Sequence, residues 1–303
     1  MNCIPNTDLR VFPVTLGTMT YGSPVAFGDA VRLTRCALER GINLIDTANM
    51  YEGYTRYAGS AGGVAEEIVG EAIAPLDRSS VLLATKVGMK VGQAPEDEGT
   101  SAAAIRRQLE ASLRRMRTDY VDLYYLHRPD DASPLEQTLA ELDAQMRAGR
   151  VRHYGVSNYS AEQLQQLLDC ADRSNLPRPV VCQPPLSLLK TEALDALLPL
   201  CKKEQIAVIP YQIYQGGLLT GKYRRGMAAP AGSRAEEKPD WVMELTDPLF
   251  DRLEAIEREA AGMGLDMAQY ALRWTLAQPA VVSAIVGVKN ERQIDAAVAA
   301  AGE

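Results

Sequence analysis

Short apolar runs recur along the chain, separated by amphipathic stretches. The runs at 14–17, 43–46, 81–85, 121–126, 151–156, 180–182, 207–210 and 283–286 are mostly continuous rather than alternating. That is the pattern of parallel strands covered on both faces. The intervening stretches have helical spacing: Ile105, Leu109, Leu113 and Met116 in 102–117, and Leu135, Leu139, Leu142 and Met146 in 135–148. Ser101, Ser133 and Ser160 stand where N-caps are expected, and Gly41 and Gly149 where helices stop. Eight strand–helix units predict an α/β fold, a (β/α)8 TIM barrel, with 1–303 forming a single domain. Two connections are too long to be simple turns. Segment 49–63 carries Tyr51, Tyr54 and Tyr57 among four glycines, and segment 211–242 mixes glycine, proline and basic residues. Loops of that length in a compact domain are usually functional.

Composition narrows the function. The chain has 303 residues and a formal net charge of −7. An acidic chain without a long basic run is a poor match for phosphate-backbone binding, so no nucleic-acid partner is expected. No apolar run reaches the roughly 18 residues of a spanning helix, so no membrane partner is expected. The first residues, MNCIPNTDLR, lack the charged and apolar regions of a secretory leader. Five scattered cysteines without a CxxC pair suit a reducing cytoplasm. Two histidines, His127 and His153, are too few for a histidine-rich metal site, and no metal is expected.

In barrels of this class the chemistry gathers at the carboxyl ends of the strands. Those ends read Thr18, Asp46, Lys86, His127, Asn158, Gln183 and Tyr211. Asp46, Tyr51, Lys86 and His127 form a proton-transfer set. A lysine ammonium favours a nearby phenolate, an aspartate keeps the lysine charged, and a histidine can bond a substrate oxygen. The competing interpretation of Asp46 and Lys86 is an ion pair that merely holds the barrel together. His153 falls within a strand, away from the mouth, and is taken as structural. GGLLTGKY at 216–223 has the spacing of a phosphate loop, but Tyr223 replaces the required hydroxyl residue, and no GxGxxG occurs.

The segments LGTMTYG, NLIDTANMYEG, LLATKVG, DLYYLHRPD, HYGVSNYS, GGLLTGKY and AIVGVKNERQI, in this order over nearly the whole chain, resemble the aldo-keto reductase family. The resemblance implies reduction of an aldehyde or ketone to an alcohol with NADPH (NADP) as cofactor, the substrate being a small-molecule carbonyl compound. It makes Asp46, Tyr51, Lys86 and His127 the catalytic tetrad, with Tyr51 as general acid. It places Gly17, Thr18, Ser157, Asn158, Gln183, Tyr211, Gln212, Tyr214, Lys222, Arg234, Gly287, Lys289 and Gln293 at the cofactor. Among these, Ser157, Asn158 and Gln183 resemble nicotinamide-holding residues, and Tyr211 the aromatic stacked on the ring. Lys289 resembles part of the adenosine-end segment. Gln212, Ile213 and Tyr214 depart from the family's usual Ser-Pro-Leu or Asn-Pro-Leu, and Ala296 and Ala297 from its Glu-Asn pair. Tyr21, Met50 and Tyr54 are expected to line the substrate pocket. The alternative is a nicotinamide-binding regulatory subunit with little turnover, as in reductase-related channel subunits. Assembly into homo-oligomers is left open.

Overall fold

The structure is a computed structural model describing residues 1–302. Eight parallel strands form its centre: β3 (Val14–Gly17), β4 (Leu44–Asp46), β5 (Leu82–Val87), β6 (Val121–Leu126), β7 (Val151–Ser157), β8 (Val181–Gln183), β9 (Ala207–Val208) and β10 (Ala284–Gly287). They follow a hairpin, β1 (Asn2–Cys3) paired antiparallel with β2 (Arg10–Val11). The sheet runs β10-β3-β4-β5-β6-β7-β8-β9. Its two ends meet: the Val282 amide donates to Val208 O at 3.0 Å, and the Ile285 amide to Pro210 O at 2.9 Å. The strands therefore close into the expected barrel.

The outer layer holds α1 (Phe27–Glu39), α2 (Val64–Ile73), α3 (Ala102–Met116), α4 (Leu135–Arg147), α5 (Ala161–Arg173) and α6 (Leu197–Lys203). After β9 come α7 (Arg234–Glu237), α8 (Asp247–Gly262) and α9 (Met267–Leu276), and α10 (Glu291–Gly302) follows β10. The uninterrupted apolar runs now have their cause. Alternate residues serve two cores: Leu123 and Tyr125 of β6 join the cluster inside the barrel, while Tyr124 and Leu126 pack among the helix-facing residues. A two-sided strand needs apolar side chains at both parities.

Local chemistry sets the helix ends. Ser101 accepts from the Ala104 amide at 3.2 Å, and Ser160 and Gln163 cap α5 reciprocally. Gly41 and Gly149 take positive φ just beyond α1 and α4. Ser133 is a correction. The N-cap of α4 is Pro134, with no side-chain cap, and the Ser133 hydroxyl serves Asp130 instead. The hairpin is an addition. Ile4, Leu9 and Val11 join Leu44, Leu123, Val181 and Ile209 in the interior cluster, so the hairpin contributes to the barrel's inner core.

Candidate active site

Register brings the predicted strand-end residues together. Gly17 pairs with Asp46, Lys86 with Tyr125, and Ser157 with Gln183. Lys86, almost fully buried, donates to Asp46 Oδ1 at 2.5 Å, Thr47 O at 2.8 Å and Tyr51 Oη at 3.4 Å. Asp46 Oδ2 accepts from Gln183 Nε2 at 2.8 Å. The His127 ring stands edge-on to Tyr51, centroids 6.1 Å apart at 80°. Its Nδ1 is buried without a hydrogen-bond partner.

Charge states follow from these contacts. Burial pushes the Lys86 pKa down, but the Asp46 carboxylate and Tyr51 outweigh it, and the net shift is upward. Lys86 is therefore an ammonium. Burial pushes the Tyr51 phenol up, Lys86 pulls it down, and Asp46 raises it; the net is upward. The sequence-based expectation of a lysine-lowered phenol thus holds for the lysine's own effect, while burial dominates the sum. Tyr51 keeps its proton at neutral pH. His127 is driven well below its ordinary value by burial, then by Lys86, Arg128 and Arg56, so the imidazole is neutral.

A cavity of about 430 Å³ runs from this cluster toward α10. Asp46, Tyr51 and His127 line it, and Lys86 lies behind them. All thirteen positions expected at the cofactor line it as well: Gly17, Thr18, Ser157, Asn158, Gln183, Tyr211, Gln212, Tyr214, Lys222, Arg234, Gly287, Lys289 and Gln293. Tyr211 donates to Asn158 Oδ1 at 2.6 Å, and Asn158 Nδ2 donates to His127 O at 2.8 Å. Ser157 Oγ donates to Gln183 O at 3.0 Å. Gln183 therefore ties this network to Asp46. At Gly17 a Cβ would stand 2.7 Å from Ile285 Cγ2, so the barrel rim is close-packed there.

Three cations, Lys222, Arg234 and Lys289, line the cavity. Loss of hydration lowers the Lys222 pKa, and Lys289 and Arg234 lower it further, with Glu237 opposing. Arg234 Nε donates to Tyr54 Oη at 3.2 Å, and Lys289 Nζ to Glu237 Oε2 at 2.5 Å and Gly232 O at 2.8 Å. Mutually repelling cations in a groove favour an anionic occupant. Arg224 and Arg225, also basic in this stretch, instead pair outward with Glu257, Asp247, Asp251 and Glu254.

Two pocket expectations are corrected. Tyr21 is fully buried in the core, its hydroxyl 2.9 Å from Thr34 Oγ1, and does not line the cavity. Met50 is half-buried and also off the cavity. Tyr54 does line it. Residues not anticipated include Met19 and Thr20, two and one positions before Tyr21, and Asp266 and Gln269 at the start of α9. A strand end does not specify which of its following residues turns inward. The spacing of Asp266 and Gln269 could have marked the α9 capping box, but not its place beside the cavity.

A profile described as the Aldo/keto reductase family matches residues 13–302, and the chain belongs to that family. It is 32% identical over 295 residues to a probable voltage-gated potassium channel subunit beta of Arabidopsis thaliana, covering 95% of this chain and 87% of that protein. It is 34% identical over 314 residues to Protein tas of Escherichia coli K12, covering 96% and 90% respectively. Among solved structures, the glycerol dehydrogenase AKR11B4 from Gluconobacter oxydans matches with a TM-score of 0.81 and 30% identity, covering 98% of this chain and 88% of that one. The family's general reductase chemistry comes with this membership.

Proposed function

We propose that the protein is an NADPH-dependent carbonyl reductase with Tyr51 as general acid. The observation that carries this is the buried Asp46–Lys86–Tyr51 chain opening, beside neutral His127, into a cavity lined with cations. The residues fit a reduced nicotinamide dinucleotide. Tyr211, Asn158, Ser157 and Gln183 would hold its nicotinamide, and Lys222, Arg234, Lys289 and Gln293 its phosphates and adenosine end. When bound, that cofactor supplies hydride to the carbonyl carbon.

The protein's own residues do the rest. Tyr51 and His127 address the carbonyl oxygen. Tyr51 gives that oxygen its proton, and the ammonium of Lys86 stabilises the phenolate left behind. Asp46 keeps Lys86 charged and, through Gln183, fixes it relative to the nicotinamide residues. Lys289 reads the 2′-phosphate, because an ammonium at the start of α10 complements an anion that the helix amides also favour.

The test is NADPH oxidation against a panel of aldehydes and ketones. Turnover with several of them, and slower turnover with NADH, is expected. Tight nicotinamide binding without turnover would support a regulatory subunit instead.

A further inference from the structure

We propose that Glu237 limits the preference for NADPH over NADH, acting as an acidic counterweight on Lys289. The proposal rests on the assignment of Lys289 to the 2′-phosphate. Lys289 does not face the cavity as an open cation. Its ammonium is engaged by the Glu237 carboxylate at 2.5 Å and by Gly232 O at 2.8 Å. It also lies 5.6 Å from the Tyr54 ring centroid. Glu237 does not itself line the cavity; it holds the ammonium from α7, in the long 211–242 segment.

The two cofactors differ at one substituent, a 2′-phosphate or a 2′-hydroxyl. A phosphate arriving at Lys289 meets a carboxylate already on the same ammonium, and the two anions repel. A ribose hydroxyl has no such conflict. The Lys289–Glu237 pair therefore opposes the phosphate and is indifferent to the hydroxyl. Removing the carboxylate's charge frees the ammonium for the phosphate.

Segment 232–237 is held without this carboxylate. Ser233 Oγ accepts from the Glu236 amide at 3.4 Å, the Gly232 amide donates to Glu236 Oε2 at 2.6 Å, and the Ala235 amide donates to Tyr223 Oη at 3.2 Å. Glu237→Gln thus leaves that segment's anchors in place.

The experiment is equilibrium binding of NADPH, NADH, 2′,5′-ADP and 5′-AMP to the whole protein. The dinucleotides are followed by fluorescence and the fragments by calorimetry. Glu237→Gln should tighten NADPH and 2′,5′-ADP by about tenfold, the scale of one partly exposed charged contact, and should leave NADH and 5′-AMP unchanged. Glu237→Asp, which keeps the charge, should retain the wild-type ratio more closely. An unchanged NADPH-to-NADH ratio in Glu237→Gln, or a lower one, overturns the proposal. If Lys289→Ala still abolishes discrimination in that case, the Lys289 assignment survives alone. If Lys289→Ala leaves the wild-type ratio intact, that assignment fails and takes the proposal with it.

Discussion

Lys86 and Asp46 each make the other's charge tolerable in the barrel mouth. Removing only the lysine leaves a carboxylate buried with Gln183 as its side-chain partner. Breaking a buried pair in this way costs about 3–5 kcal/mol. Lys86→Met should therefore lower the denaturation midpoint, and it should also raise the pH at which Tyr51 ionises. Calorimetry and a pH–rate profile measure the two effects; an unchanged profile at an unchanged rate would make Lys86 purely structural. His127 adds a separate pH signature. Its folded pKa lies below its unfolded value of about 6.5, driven down by burial and then by Lys86, Arg128 and Arg56. Below that pH the unfolded chain takes up a proton that the folded one refuses. Stability is then complete above about pH 6.5 and falls as pH drops, by up to about 1.4 kcal/mol per unit. His153, also lowered, chiefly by burial, adds to the same slope. Urea midpoints between pH 7 and 5 should flatten in His127→Gln; an undiminished slope would contradict a neutral buried imidazole.

At the scale of elements, the segment carrying Tyr51 is clamped to the one following β3. The Tyr54 amide donates to Ser23 O at 2.8 Å. Gly53 has φ +68°, and a Cβ there would stand 2.1 Å from Ser23 O, a backbone atom. Gly53→Ala must push the two segments apart. A displacement of about 1 Å at a reacting group can cost 10²-fold, so kcat should fall by roughly that factor while circular dichroism stays native. A wild-type rate would mean that the clamp does not position Tyr51. The same elements show what was readable in advance. Strand ends were legible because a buried strand must be apolar until it reaches the mouth, so Asp46, Lys86, His127 and Gln183 stand out by breaking the run. The two-residue strands of the hairpin have no period to detect. Tyr21 and Tyr54 look alike as letters, yet one turns to Thr34 in the core and the other toward Arg234 at the cavity. Only the path of the chain separates them.

Across the whole molecule, the inner-core residues and the cavity-lining residues are sorted by position. Ile4, Leu9 and Val11 of the N-terminal segment join the core inside the barrel, and the strands' carboxyl ends surround the cavity. That cavity opens beside the Asp46–Lys86–Tyr51 chain and has, in Lys222, Arg234 and Lys289, a concentration of positive charge. Among the described residues no helix is long and apolar enough to cross a membrane, and no three or more His, Cys, Asp or Glu side chains are grouped so as to hold a metal ion. The central claim is that Tyr51 delivers the proton, and one substitution addresses it with a single atom removed. Tyr51→Phe deletes the hydroxyl that Lys86 contacts and leaves the residues assigned to the cofactor in place. The decisive measurement is the rate of NADPH oxidation by Tyr51→Phe with a saturating aldehyde, after confirming that NADPH still binds. The rate should fall by about 10²–10⁴-fold, the usual worth of a positioned general acid; a wild-type rate would contradict the assignment.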